Sequence, residues 1–317
     1  MLIPVNNRKV RFPDFFIVGA AKSATTSLFA YLKQHPKIFL PERKEMYFMV
    51  FNGLSPRFKL MDGTFHPEVG CTREEYFETY KNSPEGCILG DVSTWYLYFH
   101  ETVIKNIIAF YGDQARKAKI IMVLRNPIER AWSHYCMHQR TGIINIPFLE
   151  AISDDSFKSQ LKDGYYPSYD YTGFGMYYRQ VKAYMDAFDD VKVFLFEDLR
   201  DDAGAKINEI VQFLGLEPLG RLDTGKRLNV SGTPKSSLAG VISHLIYKRN
   251  VFKKIIRSLL PRDLRYNLKM GVSRFLFKKN PLKPKHRQVL IDIYRDDILR
   301  LQKLLNRDLS KWLESKT

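Results

Sequence analysis

The sequence predicts an α/β protein, a three-layer sandwich around a central, mainly parallel sheet, and two patterns predict it. Four compact apolar runs, "DFFIVG" (14–19), "CILGD" (87–91), "KIIMVLR" (119–125) and "VKVFLFE" (191–197), each end in a turn. Strands buried on both faces of a parallel sheet read as such continuous runs. Helical stretches separate them, and alternating strands and helices pack as a sheet covered on both faces. From about residue 236 the strand signals stop and the chain turns basic and helical, ending in "QVLIDIYRDDILRLQKLLNRDLSKWL" (288–313). The apolar spacing of that stretch suits a helix packed back on the domain. The expected organisation is therefore one domain over 1–317, with an α/β core at 10–235 and a basic helical extension at 236–317.

The helices between the strands carry their own start signals. Thr72-Arg73-Glu74-Glu75 reads as a capping box opening "REEYFETYK". Pro127 stands at a first helical position in "NPIERAWSHYCMHQ". "AGAKINEIVQFLGL" places Ile207, Ile210, Val211 and Leu214 on one amphipathic stripe.

Composition narrows the class. With 317 residues and 45% apolar content the chain can build a sizeable core. It has no apolar run long enough to span a bilayer, and "MLIPVNNRKVRF" lacks the apolar stretch of a secretory leader. Three cysteines without metal-ligand spacing, Cys71, Cys87 and Cys136, fit three unrelated thiols in a reducing cytoplasm. Residues 226–287 hold 17 Lys and Arg against one acid, Asp263, which equals the whole net charge of +16. Such a block fits either a solvated helical face or contact with an anionic partner. The expectation is a cytoplasmic protein with peripheral contact to anionic lipid at the inner membrane face through 226–287, and no nucleic acid.

Four segments carry chemistry. In "FFIVGAAKSATTSL" (15–28) a strand, a small-residue turn and a helix N-terminus present free amides, a positive dipole end, Lys22 and the hydroxyls of Ser23, Thr25, Thr26 and Ser27. That combination favours phosphate or sulfate. A nucleoside-triphosphate loop G-x-x-x-x-G-K-[ST] would need glycine at Phe16 and Ala21, so that motif is absent while its physics survives in a shorter loop. In "VLRNPIERAWSHY" (123–135), Arg125 ends a strand, where α/β sheets bind ligands, and Ser133 follows about two helical turns later. A guanidinium fork and a hydroxyl there suit a phosphate. Arg130 reads instead as a structural ion-pair partner. In "PERKEMYFM" (41–49), Glu45 near an anion-binding loop suits proton abstraction, although its neighbour Lys44 also fits an exposed ion pair. Glu42 or a histidine stands next as base. "RLNVSGTPKSS" (227–237) is a polar loop whose Lys235 could close over a nucleotide.

Together these segments resemble the sulfotransferases that use 3′-phosphoadenosine 5′-phosphosulfate (PAPS), and are most similar to bacterial relatives of the glycan, heparan-type enzymes. "IVGAAKSATTSL" is similar to the family's 5′-phosphosulfate loop. "VLRNPIERAWSHY" resembles its 3′-phosphate segment, R-[DN]-P-x-[ED]-R-x-x-S. "KEMYF" resembles the element carrying the catalytic glutamate, and "FLFEDLRDD…IVQFLGL" a structural stretch; the likeness runs from about Phe15 to Leu216. The resemblance implies a P-loop NTPase-like fold, with Lys22 touching the transferring sulfuryl group. It implies that Ser23, Ala24, Thr25, Thr26 and Ser27 hold the 5′-phosphate, Arg125 and Ser133 the 3′-phosphate, and that Glu45 is the base.

One departure stands out. The family's Glu-Lys-Ser-Pro-type element reads "DVSTWYL" here, with Asp91 for the glutamate and Val92 for the lysine. A second cation at the reacting centre is therefore missing or supplied from elsewhere, which argues against heparan itself as acceptor and leaves donor use intact. The implied reaction moves sulfuryl from PAPS to a hydroxyl or amine, releasing PAP, with a glycan or glycolipid as acceptor. A sulfuryl group carries less charge than a phosphoryl, so no metal is expected. The competing readings are a P-loop kinase or ATPase, and a nucleotide-dependent adaptor on anionic membranes. "YYPSYDYTGFGMYY" (165–178) fits either an aromatic acceptor cleft or a helix with a buried aromatic stripe.

Overall fold

The computed structural model describes residues 2–5, 8–153, 163–220, 222–223, 233–234, 277–278 and 280–315. An antiparallel hairpin, β1 (Leu2–Val5) with β2 (Arg8–Arg11), precedes the sheet. The sheet itself holds β3 (Phe15–Gly19), β4 (Ile38–Phe39), β5 (Ile88–Val92), β6 (Lys119–Leu124) and β7 (Val191–Leu195), in the order β4-β5-β3-β6-β7. Every neighbouring pair is parallel, with Phe16 beside Asp91 on one side and Ile120 on the other. The four apolar runs are thus sheet strands, as the sequence predicts. The fifth, β4, is two residues long and has no run of its own.

Helices cover both faces. Among the described residues they are, in chain order, α1 (Thr25–Leu32), α2 (Phe48–Phe51), α3 (Arg73–Lys81), α4 (Trp95–Tyr98), α5 (His100–Tyr111), α6 (Pro127–Thr141), α7 (Phe148–Ala151), α8 (Tyr177–Ala187), α9 (Phe196–Asp201), α10 (Ala203–Phe213) and α11 (Pro284–Leu305). Successive strand residues point to opposite faces, so Phe15 and Ile17 join one core with Leu28 of α1 and Ile207, Ile210 and Val211 of α10. Phe16 and Val18 join the other, with residues of α5, α6, α8 and α11. That division is the three-layer sandwich expected. Fully burying each such side chain contributes about 1.5–3 kcal/mol.

Local signals behave as read. Thr72 Oγ1 accepts from Glu75 N–H at 3.1 Å and Glu75 Oε2 accepts from Thr72 N–H at 3.0 Å, closing the capping box. Pro127 starts α6 behind an Asn126 cap. The last run is shorter than its pattern: after Leu195 the chain enters α9, where Glu197 and Asp198 favour a helix start. The three cysteines are free thiols.

The carboxyl-terminal helix is part of this core. Leu290, Ile291, Tyr294, Ile298 and Leu301 of α11 are buried, and Arg287 pairs with Glu129 of α6. Farther along, the Trp312 carbonyl accepts from Asn126 Nδ2 at 3.2 Å. A two-residue pair joins β8 (Thr233–Pro234) to β9 (Phe277–Lys278), and β9 lies in the stretch expected to be helical. Most of the basic block, and Lys235 with it, lies outside the described residues.

Candidate active site

The carboxyl ends of β3, β5 and β6 lie side by side at mid-sheet, where strand order reverses, and open α/β sheets bind ligands at that point. Beyond β3 the chain turns through residues 20–24 into α1. A Cβ at Gly19 would lie 2.7 Å from Leu97 Cβ, so glycine lets α4 pack against the loop's first residue. Ala24 caps α1 in the left-handed region, φ 59°, with no side-chain acceptor, and no acidic residue occupies the first turn. The positive end of the helix therefore stays open to an anion.

Lys22 sits in that turn at φ 71°. Its ammonium donates to the Met137 thioether of α6 at 3.2 Å, a weak acceptor for a full charge. Burial, then Arg140, Arg125 and Arg130, lower its pKa from the usual lysine range to about 7. Arg125, just past β6, donates from Nη1 to the Lys22 carbonyl at 3.2 Å and lies over the Phe196 ring, 5.0 Å from its centroid. Ser133 is buried on α6. The Oγ atoms of Ser133 and Ser23 and the Nε of Arg130 are buried without a hydrogen-bond partner among the described residues. Buried polar atoms are normally satisfied, so this group of donors fits an incoming anion.

Glu45 reaches the site from the loop after β4. Its N–H donates to the Val92 carbonyl at 3.1 Å, and its carboxylate accepts from Thr94 N–H at 2.8 Å and Thr94 Oγ1 at 3.1 Å. Lys44 completes the link: its ammonium lies 3.1 Å from Glu45 Oε1, 3.0 Å from Thr25 Oγ1 and 3.4 Å from Thr26 Oγ1. The Lys44 and Glu45 side chains are only 16% and 26% exposed, so this is not the solvent-facing pair their adjacency resembles. Ser27 closes the first turn of α1, its N–H donating to the Ala24 carbonyl at 2.9 Å. The structure thus brings Lys22, Ser23, Ala24, Thr25, Thr26 and Ser27 together with Glu45 through Lys44, and with Arg125 through the Lys22 carbonyl. Lys22, Ala24, Glu45 and Tyr47 all have positive φ, a backbone cost that clusters at functional sites.

Asp91, near the end of β5, is buried. It accepts from Tyr76 Oη at 2.8 Å, Tyr96 Oη at 2.7 Å and Ser93 Oγ at 3.1 Å. Burial raises its pKa to about 6 against the pull of those three donors.

The alternative bases named from the sequence sit in different surroundings. Glu42 is exposed and pairs with Lys33 at 2.7 Å. His134 and His138 are buried, and desolvation with neighbouring positive charge pushes both pKa values down, that of His138 to about 3. Arg130 is structural, as read, but among the described residues its partners are not carboxylates. It is fully buried and donates to the Tyr171 carbonyl and the His134 ring, while Glu129 pairs with Arg287 instead. A guanidinium this deep finds a backbone acceptor that no local pattern announces.

The tyrosine-rich stretch is largely core. Pro167–Tyr169 and Gly173–Gly175 form 3-10 turns, α8 begins only at Tyr177, and Tyr169, Tyr171 and Tyr177 are buried. Tyr166 differs: its ring is 5.5 Å from Trp95, which stacks on Tyr47 at 4.7 Å, and it stacks on His66 at 4.1 Å. Tyr166 belongs to the stretch read as a candidate acceptor cleft, whereas Tyr47, Trp95, His66, Thr94 and Arg140 carry no role in the sequence reading. Arg140 had a signal, because Ser133, Met137 and Arg140 are spaced i, i+4, i+7 on one face of α6.

Comparison with known proteins agrees with this geometry. The model of the sulfotransferase domain matches residues 12–230, more than two thirds of the chain. A membrane-associated sulfotransferase, kil1, of Dictyostelium discoideum is 27% identical over 133 residues, 42% of this chain and 24% of that protein. The mouse bifunctional heparan sulfate N-deacetylase/N-sulfotransferase 4 is 25% identical over 222 residues, 65% of this chain and 22% of that one. The chain therefore spans less than a quarter of the length of these two relatives. A crystal structure of a sulfotransferase from Alicyclobacillus acidocaldarius superposes with a TM-score of 0.70 at 25% identity, covering 96% of this chain and 100% of that one. Family, fold and strand-end site converge: the chain belongs to the sulfotransferase family.

Proposed function

We propose that this enzyme transfers sulfuryl from PAPS to a hydroxyl or amine of a glycan or glycolipid acceptor, with Glu45 as general base and Lys22 at the leaving phosphate oxygen. The observation that carries the donor reading is the group of buried, unpartnered donors at the junction of the 19–27 loop and α6. An anion with two separated charged ends satisfies it. The loop amides and hydroxyls suit a 5′-phosphosulfate, and Arg125 with Ser133 suits a 3′-phosphate.

The chemistry follows from the charges. Sulfuryl transfer needs in-line placement and stabilisation of the leaving oxygen more than covalent help. The acceptor oxygen forms its bond to sulfur as the bond to the 5′-phosphate breaks, and PAP departs with that electron pair. Glu45 takes the acceptor's proton, while Lys22 neutralises the charge growing on the phosphate. The clamp from Thr94 holds the carboxylate in place before the acceptor arrives.

The half-buried rings of Tyr47, Tyr166 and His66 beside Glu45 support the acceptor class, since flat aromatic faces pack against sugar C–H surfaces. A thermal-shift comparison tests the donor reading against the kinase reading. PAP should raise the melting temperature in the absence of magnesium, and ATP with magnesium should leave it unchanged. The reverse order would replace this reading with the kinase one.

A further inference from the structure

We propose that Lys44 is a catalytic residue of this chain, a second cation that grips the sulfuryl group of the bound donor. The proposal rests on the donor reading above. Its basis is the position of one ammonium between two groups with different tasks. Toward α1, Lys44 Nζ is 3.0 Å from Thr25 Oγ1 and 3.4 Å from Thr26 Oγ1, the hydroxyls assigned to the 5′-phosphate. Toward the loop after β4 it is 3.1 Å from Oε1 of Glu45, the base. A sulfuryl group in transit lies between the 5′-phosphate it leaves and the acceptor oxygen that the base deprotonates. Lys44 occupies the span between those two points.

The local electrostatics need an explanation that Glu45 alone does not supply. The first turn of α1 is the positive end of a helix dipole, contains no acidic residue, and is preceded by Lys22. A second ammonium against the same turn is repelled by the dipole and by Lys22. Hydroxyl contacts do not offset a full charge, whereas a bound anion attracts both lysines at once. The strained backbone at Glu45, φ 61°, fits the same purpose, because it occurs in the residue joining the cation to the base.

Lys44 also stands where the chemistry of this sequence has a gap. Val92, at the end of β5, is 2% exposed and brings no charge to the site. The Glu45 N–H donates to the Val92 carbonyl at 3.1 Å, which brings the Lys44–Glu45 pair to that same strand end. A cation delivered from this loop supplies the charge that β5 does not.

The test compares the binding of PAPS and PAP, which differ by the sulfuryl group alone, so no acceptor is required. Titration calorimetry on the full chain measures both for wild type, Lys44→Met and Lys44→Arg. Lys44→Met should weaken PAPS by roughly tenfold or more, the loss typical of a charged hydrogen-bond partner. The same variant should change PAP by less than about threefold, and Lys44→Arg should restore most of the PAPS affinity. Equal weakening of both ligands would make Lys44 a phosphate contact, and no change in either would make it a surface ion-pair partner; each result overturns the proposal. Wild type that binds neither ligand would instead overturn the donor reading, and this proposal with it.

Discussion

The Thr94 backbone N–H donates to Glu45 Oε2 at 2.8 Å, and the carbonyl two residues earlier, on Val92, accepts from the Glu45 N–H at 3.1 Å. One residue is thus fastened at backbone and side chain to the end of one strand. The carboxylate is held while Oε1 is shared with Lys44. Such preorganisation suits a base that must meet the acceptor in a fixed position.

Glu45→Gln keeps the size and most of these hydrogen bonds but cannot accept a proton. The variant should fold and bind PAP as wild type does, while turnover with an acceptor found by glycan and lipid screening falls at least about 100-fold. Steady-state rates beside PAP titrations check this. Near-normal turnover would remove Glu45 as the base.

Lys22 makes donor binding depend on pH. Its pKa of about 7 in the free protein means that above pH 7 a proton must be taken up before an anion gains a full positive partner. PAP affinity should therefore fall between pH 7 and 9, approaching about tenfold per pH unit. The phosphates do not titrate in that window, their second pKa being about 6. Lys22→Arg stays charged throughout, so its PAP affinity should be flat over the same range. Calorimetry in buffers of different ionisation heat reads the proton uptake directly.

Asp91 ties the fold to the site. Removing it by Asp91→Ala leaves the buried hydroxyls of Tyr76 and Tyr96 without their acceptor and should cost about 2–4 kcal/mol, measured as a lower urea midpoint. Its folded pKa, about 6, lies above the unfolded value of 3.8, so the folded state binds more protons between the two. The contribution of Asp91 is greatest below pH 3.8 and declines as pH rises through 6. Asp91→Asn should therefore lose less stability than the alanine variant at pH 7, and its stability should lack that decline.

Much of this molecule was legible in the chain because its signals are local. Apolar runs ending in turns gave the four long strands, and Thr72 and Pro127 marked their helix starts through side-chain chemistry near each cap. The hairpin at 2–11 and β4 escaped because neither has an apolar run distinguishable from a loop. In the site, Lys22 and the hydroxyls around it were readable since one strand–turn–helix unit presents them. Lys44 was not, because an adjacent Lys-Glu pair looks the same in a solvated loop. Its placement follows from the left-handed turn at Glu45 and from two hydroxyls on α1, 18 and 19 residues away. The partner of Arg130 was hidden for a similar reason: the carbonyl that accepts from it, on Tyr171, is 41 residues distant.

The central claim is that this site reads both ends of an adenosine 3′,5′-bisphosphate. Titration of wild type and Arg125→Ala with PAP and with 5′-AMP tests it most directly, because only the 3′-phosphate distinguishes the ligands. Wild type should bind PAP more tightly, and Arg125→Ala should lose most of that preference, about 1.5–3 kcal/mol. Equal binding of the two nucleotides by wild type would contradict the assignment of Arg125 and Ser133 to the 3′-phosphate.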